Sequence, residues 1–66
     1  MIPKQLTPRT LKAWKESLGL SYKELAYLSP MSAGTWAEWC QGRTTIPAAA
    51  RVMMADIEEK LEIPDE

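Results

Sequence analysis

The chain has no histidine and a single cysteine. Without histidine it lacks the commonest general base and the commonest metal ligand. Cys40 alone cannot close an internal disulfide, and one thiol provides no metal-ligand spacing. No apolar run approaches the roughly 18 residues of a membrane-spanning helix, and the opening stretch MIPKQLTPRT has no apolar centre of the secretory-signal kind. A cytoplasmic chain with no membrane partner is therefore expected. At 66 residues it is read as one domain, 1–66, with a small core. That leaves no room for a deep pocket with a supporting shell, and no convergent acid–base pair can be pointed to. The expectation is a non-enzyme with no cofactor, no metal and no small-molecule ligand. Internal repeats, low-complexity segments and useful strand-like alternation are all missing.

Charge of one sign is scarce overall, with a net −1, but it is unevenly spread. Residues 1–55 carry seven cations (Lys4, Arg9, Lys12, Lys15, Lys23, Arg43 and Arg51) against Glu16, Glu24 and Glu38. Residues 56–66 carry six acids (Asp56, Glu58, Glu59, Glu62, Asp65 and Glu66) against Lys60. A basic body with an acidic tail can neutralise phosphates when the tail points away.

What is present is helical punctuation. Thr7-Pro8 is a cap followed by proline at a first helical position, and Leu11, Trp14 and Leu18 share one face. Gly19 ends that helix, and Leu20 packs back onto the core. Ser21 and Glu24 spell a capping box, Leu25 and Leu28 face inward, and Ser29-Pro30 stops the second helix. Ser32 caps a third helix that carries Trp36 and Trp39 on one face and closes at Gly42. Ile46-Pro47 opens the last helix, read as about 47–62, with Ala50, Met53, Met54, Ile57 and Leu61 as its inward stripe. The tryptophans read as core anchors and the methionines as gap-fillers. The fold class expected is all-α, a compact domain of four to five helices. Residues 21–42, two short helices about a tight turn, form a helix-turn-helix, a reader of the DNA major groove.

The segments LKAWKESLGLSYKELAYL and TWAEWCQGRTTIPAAARVMM resemble the Cro/C1-type (XRE-like) helix-turn-helix family of phage and bacterial regulators, over roughly residues 8–54. L-G-L-S-x-x-E-L-A, the late tryptophan and G-R-x-x-I-P carry the likeness. The S-x-x-x-W-x-x-W…IP phrase is similar to some anti-CRISPR-associated autorepressors of mobile elements. The resemblance implies a lambda-repressor-like fold and a repressor that binds duplex DNA as a dimer on an inverted repeat. It also implies base contacts by Ser32, Ala33, Gly34, Ala37 and Glu38. Backbone contacts are implied for Tyr22, Thr35, Arg43, Thr44 and Thr45. Lys23, which flanks the third helix, joins them on its charge.

The chain departs from the family on its reading face. Ala33, Gly34 and Ala37 offer no more than apolar contact with a thymine methyl, and Glu38 is an acceptor among phosphates. Pro30 stands where glycine is frequent and cannot take positive φ, so the turn must differ. Ala33-Gly34 is either an ordinary first turn or a device that lets the helix end sit deep in the groove. Lys12 and Lys15 are either a solvated face or phosphate contacts. Cys40 reads as a packing residue, since a redox thiol needs a depressed pKa. Val52, Ala55 and Ile63 lie off the inward stripe and form a candidate homodimer patch. A protein-interaction module of phage-inhibitor or antitoxin-like kind, on the same fold with weak DNA binding, is the competing reading; the acidic balance favours it.

Overall fold

Each of the first three helices begins at a hydroxyl. In the computed structural model, which describes residues 2–62, α1 spans Pro8–Ser17, α2 Tyr22–Leu28, α3 Ala33–Gln41 and α4 Ala49–Lys60. Among the described residues the fold is these four helices, at the lower end of the expected number. Thr7, Ser21 and Ser32 are the caps, each accepting from the backbone N–H three residues on. An oxygen in that place is worth about 1 kcal/mol. Ser21 and Glu24 make the expected box. Thr10 completes a second one at Thr7, through Thr7 N–H to Thr10 Oγ1 at 2.9 Å. A Thr-x-x-Thr spacing does not advertise that box, because glutamate or glutamine is the usual partner.

α1 and α3 end alike. Gly19 and Gly42 both take positive φ, +70° and +76°. The following N–H groups reach back, Leu20 to Lys15 O at 3.2 Å and Arg43 to Glu38 O at 2.9 Å. At Gly42 a side chain would also meet Pro8 Cγ at 3.3 Å, so the end of α3 and the start of α1 approach closely only because a methyl group is missing.

The last helix corrects the sequence reading. It starts at Ala49 rather than Pro47, and its cap, Ala48, is helical with no side-chain bond. The entry is a tight turn with Ala50 N–H on Pro47 O at 3.0 Å and Arg51 N–H on Ala48 O at 3.2 Å. Ala50, Met54 and Ile57 are buried as expected, while Met53 is half-buried. Leu61 is exposed, because the helix stops at Lys60 and Glu62 turns to φ 58°.

Trp36 is the centre of the core, fully buried with Leu11, Leu25, Met54 and Ile57 around it. Its ring stacks on Trp14 at 6.3 Å and meets Trp39 edge-on at 5.0 Å. Such pairs add roughly 0.5–1.5 kcal/mol beyond the area they bury. The three tryptophans belong to α1 and α3, so they clamp those helices together. α3 lies against α1 and α2, and α4 against α2.

The turn between α2 and α3 runs through Ser29, which is extended at φ −139° and ψ 168°, as a residue before proline prefers. No left-handed residue is used there. The Ser29 hydroxyl organises the turn. It donates to Leu25 O at 2.7 Å and accepts from Met31 N–H at 3.3 Å and Trp36 Nε1 at 2.9 Å. No buried side-chain nitrogen or oxygen among the described residues lacks a partner.

α4 is tied in by three polar links. Trp14 Nε1 donates to Glu58 Oε2 at 2.8 Å. The Arg51 guanidinium donates to Pro3 O at 2.9 Å and Lys4 O at 2.8 Å, strapping the N-terminal segment to the helix. Lys60 Nζ donates to Leu28 O at 2.8 Å while pairing with Asp56 at 3.0 Å. It thereby caps the open C-terminus of α2.

Two outcomes are expected. Ser29→Ala strands the Trp36 indole N–H and should cost about 1–3 kcal/mol in denaturant unfolding, whereas Ser17→Ala, at an exposed hydroxyl, should cost less. For Glu58, partial burial pushes the carboxyl up, but hydrogen bonding, Trp14 among the donors, outweighs it and holds the pKa below the ordinary 4.5. A depressed carboxyl contributes its stability above that value and loses it as pH falls through the folded pKa. Thermal melting between pH 6 and pH 3 should show this loss, and Glu58→Gln should flatten it.

Candidate nucleic-acid interface

The outer side of α3 is open. Gly34, Glu38 and Gln41 are exposed at helical spacing, and Ala33 and Ala37 are half-buried beside them. α4, with its acidic half, makes no backbone contact with α3. The opposite side of the same helix buries Trp36, Trp39 and Cys40.

Within that face the candidate readers differ. The Ser32 hydroxyl is engaged by its own helix, accepting from Thr35 N–H at 3.2 Å and lying 2.9 Å from Thr35 Oγ1. Gly34 has room for a methyl group, since a Cβ there meets only Ser32 Oγ at 3.9 Å. Its smallness is therefore not demanded by packing inside the chain. Glu38 accepts from Thr44 Oγ1 at 3.2 Å, which joins a candidate base contact to a candidate backbone contact.

Most of the candidate backbone residues fall in two groups, one in the loop after α3 and one at the start of α2. Arg43, Thr44 and Thr45 are exposed. With Gly42, Thr7 and Pro8 they line an open cavity of about 370 Å³ between the loop and the start of α1. Tyr22, half-buried at the first position of α2 beside Lys23, sits next to Cys40 in the last turn of α3. Lys15 Nζ stands 4.7 Å from the centre of the Tyr22 ring, a cation–π distance.

Cys40 lies beneath this second group, next to the Tyr22 side chain. Burial raises its pKa above the ordinary 9.0, and the opposing pull of Tyr22, Lys15 and Lys12 does not reverse it. The thiol is thus a packing group, neutral at pH 7. Burial likewise raises the Tyr22 phenol, with Cys40 adding to it. Sequence spacing left Lys12 and Lys15 undecided, whereas the fold brings both near Tyr22 and Cys40, the junction of α2 with α3. Arg51, counted among the cations of the body, is committed to the N-terminal carbonyls.

Val52 is 71% exposed and Ala55 is exposed too, both on the outer side of α4. Ile63, the third member of the dimer patch, lies outside the described residues. Tyr27, which the sequence pattern does not single out, is 89% exposed on α2.

A helix whose open side is small and whose C-terminal part is flanked by cations and hydroxyls suits a groove reader. A family model described as Helix-turn-helix domain matches residues 9–60, most of the chain. The chain belongs to the helix-turn-helix family. No curated protein and no solved structure matches it. Membership supports a DNA-binding regulator, the kind of protein the XRE-like resemblance implies. No described helix of this helix-turn-helix protein is long and apolar enough to cross a membrane.

Gly34→Ala separates the two readings of the small residues at the start of α3. The added methyl should stabilise the fold by roughly 0.5–1 kcal/mol through helix propensity. If α3 sits deep in a groove, the same change should weaken DNA binding. Melting and gel-shift titration of one variant measure both, and a gain in stability with unchanged binding would leave Gly34 an ordinary helix residue.

Proposed function

We propose that this helix-turn-helix protein represses transcription by binding duplex DNA as a homodimer on an inverted repeat. The observation that carries the reading is the open α3 face of Ala33, Gly34, Ala37 and Glu38, with donors from the start of α2 and from the following loop beside the C-terminal part of the helix. Tyr22, Lys23, Thr35, Arg43, Thr44 and Thr45 supply the backbone contacts, and Lys15 and Lys12 extend the grip beside Tyr22. Such contacts position the domain, while base edges and DNA shape specify the site. Ser32 acts mainly through its cap, holding the first turn of α3 against the groove.

Dimerisation is supported by size. One 66-residue domain presents few phosphate contacts. Its longest dimension is 31 Å, so two copies side by side suit the one-turn spacing of about 34 Å between half-sites. Val52 and Ala55 on the outer side of α4 form the interface. Ile63 belongs to the same patch by sequence. Occupying a promoter suffices for repression, and autorepression within a mobile-element operon is the form that the sequence likeness favours.

The exposed Tyr27 and Val52 favour the second reading, a protein-interaction module. Gel shifts of the full chain on its own upstream DNA at two salt concentrations separate the two. Steep loss with salt supports the repressor, and no shift at low salt supports the module. Arg43→Ala should weaken binding to all sequences alike and lower the log–log salt slope by about 0.9, the value of one phosphate contact.

A further inference from the structure

The open face of α3 is nearly flat. Ala33 and Ala37 end in methyl groups and Gly34 has no side chain, so Glu38 stands out beyond them, one turn after Gly34. It is exposed and it is the one ionic side chain of α3. One carboxylate oxygen, Oε1, is held by Thr44 Oγ1 at 3.2 Å. The backbone beneath is fixed as well, because Glu38 O accepts from Arg43 N–H at 2.9 Å in the turn that closes the helix. The carboxylate is therefore aimed by the loop that follows α3 and keeps Oε2 for an outside donor.

A carboxylate pressed into a groove without a donor is costly, since it loses water and gains nothing. Few groups in the major groove can supply one. Guanine presents N7 and O6 and thymine presents O4, all acceptors that repel a carboxylate. Only the amino groups of cytosine (N4) and adenine (N6) donate. The adenine amino group has acceptors on both sides, its own N7 and the O4 of the paired thymine. That of cytosine has the guanine acceptors on one side only. A carboxylate already tethered by Thr44 fits the less crowded side.

Resting on the DNA-binding reading, we infer that Glu38, aimed by Thr44, makes this protein select a cytosine in each half-site and reject guanine and thymine at that position. Thr44 is the positioning residue. The neighbouring positions, met by Ala33, Gly34 and Ala37, are read weakly, so cytosine is the strongest single preference that α3 contributes.

The test is selection from a randomised duplex library at low salt with the full-length wild type, Glu38→Gln, Glu38→Ala and Thr44→Val, each shown by melting to be folded. The wild type should enrich a cytosine, and replacing it by guanine or thymine in the selected duplex should weaken binding by roughly fivefold to a hundredfold. Glu38→Gln should move the preference to adenine, whose N6 and N7 match an amide. Glu38→Ala should bind with no preference at that position, and Thr44→Val should keep cytosine with a smaller margin. If the wild type retains duplex DNA but the enriched base is the same in Glu38→Gln, the assignment of Glu38 falls and the DNA-binding reading stands. If the wild type retains no duplex at all, both fall together.

Discussion

The structure depends on one hydroxyl. Ser29 lies in the turn between α2 and α3 and bonds at once to the end of α2, to the turn backbone and to the indole of Trp36. Trp36 is the most buried large side chain of α3 and stacks on Trp14 of α1. The serine thus sets where α3 sits against α2, and the tryptophan pair sets where it sits against α1. With both contacts fixed, the only free side of α3 is the one carrying Gly34, Glu38 and Gln41. A small domain cannot orient a helix by buried area alone, because it buries so little of its surface. A satisfied polar contact inside the core supplies the missing direction.

The electrostatic arrangement follows from the same packing. The backbone of α4 lies against α2, and α4 meets the buried side of α3 through core side chains such as Met54 and Ile57, opposite the open face. Two cations also serve the structure. Arg51 straps the N-terminal segment, and Lys60 caps α2. The cations left near the open face are those on α1, at the start of α2 and in the loop after Gly42. The distribution suits a phosphate backbone better than the net charge of −1 implies.

Local signals were legible in the sequence. Ser21-x-x-Glu24, Thr7-Pro8, Gly19 and Gly42 each mark a helix end by chemistry confined to a few neighbouring residues, and the apolar spacing of Leu11 with Trp14 shows an inward face. The start of α4 was misplaced because proline at a helix entry fits several neighbouring registers. The polar links were not legible. Nothing near Ser29 in sequence announces that Trp36 needs its oxygen, nothing near Trp14 points to Glu58, and Lys15 carries no mark of Tyr22. A hydrogen bond between residues far apart in the chain leaves no periodic trace. Of the candidate interface, the α3 face was legible as positions, but the engagement of Ser32 by Thr35 and of Glu38 by Thr44 was not.

The sequence by itself determined that this chain is all-α, of four to five short helices with a helix-turn-helix in the middle, because caps, breakers and a 3.6-residue apolar period act over a single turn of backbone. Only the tertiary structure decided which side of α3 stays open, which cations remain beside it and how Glu38 is aimed. Those outcomes depend on how three helices pack around one indole, and packing is a property of distances between residues that are not neighbours in the chain.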